Sequence, residues 1–222
     1  GGGTVAHAYI ICHLKDTAEA MVNFARHLPP EISRIALVDT NNDCIKDSLE
    51  TARVLFREYL RLLKEDNPED AAKFKLFAVR LDTSSNMIDK SITPIGEPGM
   101  DFGVNPRLVK KVREALDNGW QDLSCTGTER DAASDFFRAI KIVASGGFDE
   151  EKVAFFEKEE APVDFYGIGS YFFSGKTNDF TADIVKINFN GKWIEMAKEG
   201  RKSGGNPALK HIKIKNGKVE NS

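Results

Sequence analysis

Cysteine is scarce in this chain. Cys12, Cys44 and Cys125 are the only three in 222 residues, and no two of them form a CxxC pair. An odd, scattered set excludes a disulfide framework and suits a reducing compartment, so a cytoplasmic protein is expected. Cys12 and Cys125 lie in or beside apolar runs and are expected to be small buried groups. The four histidines have no paired spacing with each other or with cysteine, which excludes a zinc site of the usual kind. No GxSxG elbow occurs, so nothing points to a Ser-His-acid hydrolase. An excess of one charge is also missing. Lys and Arg number 31 against 34 Asp and Glu, and a formal charge of -3 gives no general field for nucleic acid. No apolar run reaches membrane-spanning length, so no membrane partner is expected.

What is present is 41% hydrophobic residues, enough for one sizeable domain or one plus an appendage. The stretch from Lys141 to Ser170, KIVASGGFDEEKVAFFEKEEAPVDFYGIGS, sets the pattern. A short apolar run, Ile142 to Ala144, ends in Ser145-Gly146-Gly147, and an acid-opened helical segment follows. A second run, Val163 to Tyr166, ends in Gly167-Ile168-Gly169-Ser170. This is strand, glycine turn, helix, strand, glycine turn, the form of a parallel β/α unit. Two such turns at adjacent strand ends would present backbone N–H groups side by side, a way to bind phosphate without a basic side chain. A single glycine turn needs no such purpose; two in succession carry the argument.

The rest of the chain continues the alternation. Tyr9 to Leu14 reads equally as a strand or a helical turn. Asp16 or Thr17 opens a helix stopped by Pro29-Pro30. Arg34 to Asp39 is a buried strand, and a long amphipathic helix runs from about Ile45 to Leu63. Asn67-Pro68 starts a short helix, and Lys75 to Asp82 is the next strand. Residues 83–104 show no period and read as a long, functional loop. Pro106 begins a helix ended by Asn118-Gly119, Gln121 to Ser124 is a weak strand candidate, and Asp131 to Arg138 reads helical. The class is therefore α/β with parallel strands. After Ser170 the text changes to hairpins: Asp183 to Phe189 and Lys192 to Ala197 around Asn190-Gly191, then a second around Asn216-Gly217.

Asp39 and Asp82 each close an apolar strand at its carboxyl end, where parallel sheets and barrels place their sites. Such a carboxylate either caps the next turn or meets a cation, an arginine or sugar hydroxyls. Arg80 precedes Asp82 by two residues and shares its face, pointing either into a site or into an interior ion pair. The run Ala197 to Ser203 is basic and is expected to be a solvated turn. Gly1-Gly2-Gly3-Thr4 leads directly into core-like sequence, so the chain reads as an internal piece of a longer protein.

These motifs together resemble the nicotinate phosphoribosyltransferase family. The likeness spans essentially the whole chain: GTVAH (Gly3–His7), LVDT (Leu37–Thr40), VRLDT (Val79–Thr83), IVASGGFDE (Ile142–Glu150), YGIGS (Tyr166–Ser170) and AKEGRKSGGNP (Ala197–Pro207). LDTSSN at Leu81 to Asn86 and Ala8 after His7 resemble the subgroup that reads LDTPS. The resemblance implies a TIM-like β/α barrel, incomplete here, with a small antiparallel appendage that joins an amino-terminal sandwich domain. Residues 1–175 would be the partial barrel and 176–222 the appendage. It also implies transfer of a phosphoribosyl group from phosphoribosyl diphosphate to nicotinate in NAD biosynthesis, with Mg²⁺, ATP as co-substrate and a dimeric assembly.

By matching positions, His7 would be the phosphorylated, ATP-linked histidine, and Asp39 and Asp82 the catalytic and metal-holding carboxylates. Arg80 and Thr83 would contact substrate. Ser145, Gly146, Gly147, Gly167, Gly169 and Ser170 would cradle the 5′-phosphate. Related readings are a phosphoribosyltransferase for nicotinamide or quinolinate and a non-catalytic phosphate-ligand-binding barrel. A closed barrel needs eight β/α units and this pattern offers fewer, so an amino-terminal polypeptide is expected as partner and the chain alone is expected to be inactive.

Overall fold

In the computed structural model, residues 3–169, 171 and 182–202 are described, with the backbone of two short strands at 213–215 and 218–220. Five strands, β1 (Gly3–Thr4), β2 (Arg34–Leu37), β3 (Leu76–Leu81), β4 (Lys141–Ala144) and β5 (Phe165–Tyr166), form one parallel sheet in sequence order. Between them lie α1 (His7–Cys12), α2 (Thr17–His27), α3 (Cys44–Lys64), α4 (Pro68–Ala72), α5 (Pro98–Asp101), α6 (Pro106–Asn118), α7 (Thr128–Arg138) and α8 (Glu150–Lys158). Sequential order with crossovers of one hand lays the helices along one face and curls the sheet into an open half-barrel.

The helices begin where short polar side chains satisfy their first N–H groups. Asp16, Asp43, Asn67, Asn105 and Asp149 accept from Glu19, Lys46, Asp70, Leu108 and Lys152, each cap contributing about 1 kcal/mol. The end of α2 is closed differently. Arg34, 1% exposed, donates from Nη2 to the carbonyls of Ala25 and Leu28 and from Nη1 to those of Pro29 and Ile32.

Register separates the two faces of the sheet. Ala36, Val79 and Ile142 stand in one row, and all three are buried in the core beneath the helices. The neighbouring row on the other face is Leu37, Arg80, Val143 and Phe165. Here Arg80 and Val143 are only half-buried and Phe165 is 48% exposed, with Phe77, 39% exposed, 5.8 Å from it between ring centres. Leu37, at the β2 end of the same row, is fully buried, so this face is open toward β4 and β5.

The loop from Thr83 to Asn105 has one helical turn, α5, but is pinned by two buried carboxylates. Asp89 accepts from Cys44 N at 2.9 Å with one oxygen and from Ser91 N and Oγ with the other. Asp101 accepts from the N–H groups of Ile95, Gly96 and Glu97 and pairs with Arg107 at 2.6 Å. Asn42 Nδ2 donates to Ile88 O at 2.8 Å, tying the loop back to the end of β2.

Of the two readings of Tyr9 to Leu14 the helical one holds: α1 covers most of it, and the first strand is Gly3–Thr4. Other expectations change. Gln121 to Ser124 is not a strand. A 3₁₀ turn spans Gly119–Asp122, and β3 pairs directly with β4, leaving no edge between them. Cys12 is exposed because α1 turns Ile10 and Ile11 inward, and Cys125 is half-buried; only Cys44 is enclosed. The first hairpin is shorter than expected, β6 (Lys186–Phe189) against β7 (Lys192–Glu195), with Asn190 and Gly191 at φ 50° and 81° as a type I′ turn requires. β8 (Lys213–Lys215) pairs antiparallel with β9 (Lys218–Glu220), and the Asn216-Gly217 turn lies outside the described residues. No described helix is long and apolar enough to cross a membrane.

Candidate functional site

Two residues beyond the row Leu37–Arg80–Val143–Phe165, the same register reaches Asp39, Asp82, Ser145 and Gly167. The contacts agree. Ser145 Oγ donates to Asp82 Oδ1 at 2.9 Å, and a Cβ on Gly167 would come within 2.9 Å of Ser145 Cβ. The sheet thus sets two carboxylates, a hydroxyl and a glycine across the carboxyl ends of β2 to β5. His7, at the start of α1, completes the row from β1, with Nε2 2.9 Å from Asp39 Oδ1.

The hairpin's exit adds an unexpected member. Lys198 was expected in a solvated turn, but its side chain is 8% exposed and its ammonium pairs with Asp39 Oδ2 and donates to Asp82 O at 3.1 Å. The segment is held there because Glu199 N donates to Thr40 O at 3.0 Å and Met196 N to Val185 O at 2.9 Å. Burial raises the pKa of Asp39, but the His7 bond and the Lys198 charge more than reverse this and leave it below the ordinary carboxylate value.

In front of this row opens a cavity of about 660 Å³ bordered by His7, Asp82, Thr83, Gly146, Gly147 and Lys152, together with Asp183, Lys198 and Arg201. Ser84 and Ser85 continue the rim from Thr83. Gly146 adopts φ 94° and Gly147 φ 66°, and a Cβ on Gly146 would stand 3.2 Å from Asp82 Oδ1. Glycine is required where the turn passes the carboxylate. Lys152 Nζ donates to Gly146 O at 3.0 Å and lies 4.3 Å from the Phe148 ring centre. Burial lowers its pKa, opposed by Asp149 and Asp82.

The expected residues divide. His7, Asp82, Thr83, Gly146 and Gly147 border the cavity, while Asp39 and Ser145 stand directly behind it. Arg80 sits one row deeper on the open face, its Nε buried without a hydrogen-bond partner. Gly167 and Gly169 do not border the cavity, and Ser170 lies outside the described residues. Lys152, Asp183 and Arg201 were missed. A lysine in the first turn of α8, where the helix dipole favours acids, was the available signal for Lys152. Asp183 and Arg201 meet across the chain at 3.4 Å, with no local pattern to announce it.

One atom each of His7, Asp39 and Asp82 lies within 4.8 Å of the others, a spacing that suits one bound cation. Asp82 borders the cavity and gives one carboxylate oxygen to Ser145, whereas both Asp39 oxygens already have partners. The arrangement combines backbone N–H groups and ammonium ions for phosphate with a carboxylate for hydroxyls or a cation. No family model matches the chain, and no curated protein matches it.

Proposed function

We propose that this chain is part of a nicotinate phosphoribosyltransferase, which joins nicotinate to the ribose of phosphoribosyl diphosphate and releases diphosphate. The observation that carries the reading is the meeting of Asp82 with the Gly146-Gly147 turn and Lys152 around one cavity at the strand ends. A ribose 5-phosphate has the matching chemistry: an anionic end for N–H groups and an ammonium, and a hydroxyl-bearing ring for a carboxylate.

In this reading Gly146, Gly147 and Lys152 hold the 5′-phosphate and Asp82 faces the ribose. Lys152 and Arg201 both line the cavity and supply it with cationic side chains for the anionic groups of the substrate. Substitution at C1 passes through an oxocarbenium-like state whose positive charge Asp82 favours. Positioning rather than a protein nucleophile supplies the rate. Asp82 would hold a Mg²⁺ ion, whose charge would stabilise the departing diphosphate. Because a carboxylate at Nε2 requires the proton there, Asp39 fixes the His7 tautomer and leaves Nδ1 able to accept a phosphoryl group from ATP. Arg80, on the open face, is the candidate partner for the nicotinate carboxylate.

The half-exposed row Arg80, Val143 and Phe165 supports a further element of the reading: an amino-terminal region covers this face and completes the barrel in a dimeric enzyme. The complete protein should form nicotinate mononucleotide and diphosphate when supplied with phosphoribosyl diphosphate, Mg²⁺ and ATP. Nicotinamide and quinolinate assayed in parallel decide the base. Binding of phosphoribosyl diphosphate without turnover of any of the three would replace the enzyme reading with a ligand-binding barrel.

A further inference from the structure

We infer that Lys198 is the built-in cation of Asp39, so that a divalent ion entering the site is held by Asp82 and not by Asp39. The inference rests on the geometry of the row and not on the reaction assigned to it. Asp39 is fully enclosed, with His7 Nε2 on Oδ1 and the Lys198 ammonium on Oδ2. The same ammonium donates to the carbonyl of Asp82, so one positive charge bridges the ends of β2 and β3.

Charge decides between the two cations at Asp39. A doubly charged ion binding its Oδ2 would meet the ammonium already there and be repelled by it. Mg²⁺ also prefers oxygen ligands and keeps several waters, which an enclosed carboxylate shared with an imidazole and an ammonium does not accommodate. The backbone that carries Lys198 is tied on both sides, by Met196 N on Val185 O before it and Glu199 N on Thr40 O after it. Asp82 takes the same ammonium only on its backbone carbonyl. Its residue borders the cavity, and the one described side chain hydrogen-bonded to its carboxylate is the neutral hydroxyl of Ser145. Lys198 is therefore a positioning residue: it balances Asp39, and Asp39 orients His7.

The test uses the full chain and Mn²⁺ as the divalent probe, followed by electron paramagnetic resonance. Asp39→Asn combined with Lys198→Met, which removes the pair together, should bind Mn²⁺ within twofold of the unaltered protein, Asp82→Asn should bind about tenfold more weakly, and Lys198→Met alone, which frees Asp39, should bind about tenfold more tightly. A large loss in the double variant would overturn the inference, as would no gain in a folded Lys198→Met. Should Lys198→Met not fold, the unaltered protein still decides. Lys198 should resist reductive methylation equally with and without saturating Mg²⁺, and labelling induced by Mg²⁺ would show that the ion displaces it.

Discussion

At the end of β2, Asp39 is sealed from solvent with His7 on one oxygen and Lys198 on the other, whereas at the end of β3, Asp82 gives one oxygen to Ser145 and borders open space. The two occupy corresponding places in the sheet. What separates them is the segment after the first hairpin, which brings a buried ammonium to one carboxylate and only touches the backbone of the other. A strand-end acid thus becomes architecture or chemistry according to what the distant chain delivers to it.

Breaking the sealed end should have the largest effect on stability. Asp39→Ala leaves the Lys198 ammonium buried and unpaired, and should cost about 3–5 kcal/mol in urea unfolding. A loss below about 1 kcal/mol would mean that the pair is dispensable. Asp82→Asn should behave in the opposite way. Its unfolding temperature should stay within about 2 °C of the unaltered protein, while the proposed phosphoribosyl transfer, assayed in the complete protein, falls by about 10²–10³-fold. Parallel losses of stability and activity would place Asp82 with Asp39.

Asp47 sharpens the comparison, because it is buried like Asp39 but receives only neutral donors, Thr17 Oγ1 at 3.2 Å and Asn41 Nδ2 at 2.9 Å. Burial pushes its pKa up from 3.8 to about 6, opposed by those bonds and aided by the charges of Glu50 and Asp43. The folded protein therefore holds this proton more tightly than the unfolded chain. The stability it contributes is full below about pH 4 and is lost as pH rises through about 6. Asp47→Asn should flatten that decline and gain at most about 3 kcal/mol at pH 7 relative to its value at pH 4. Unfolding curves of both proteins across this range give the answer, and identical slopes would assign the pH dependence to other groups.

Much of the scaffold was legible because it depends on local chemistry. Asp16 and Pro106 announce their helices, and Arg34 to Asp39 and Lys75 to Asp82 read as strands from their apolar runs. Asp82 and Gly146-Gly147 were legible for the same reason, since strand ends and glycine turns carry their meaning within a few residues. Lys198 was not. Its partner lies more than 150 residues earlier in the sequence, and a basic run with a glycine looks the same whether solvated or enclosed. Gln121 to Ser124 failed through the same long-range cause: a strand needs a free neighbour, and direct pairing of β3 with β4 leaves none.

The clasped loop after β3 bears on how tightly this site can hold a ligand. Thr83, Ser84 and Ser85 form one rim of the cavity, and the residues that follow are fastened by Asp89 and Asp101 to five backbone N–H groups: those of Cys44, Ser91, Ile95, Gly96 and Glu97. Ordering a free residue costs about 1–2 kcal/mol of backbone entropy. In this protein that cost falls on folding, before any ligand arrives, so the rim can contribute its contacts to affinity without first having to be immobilised.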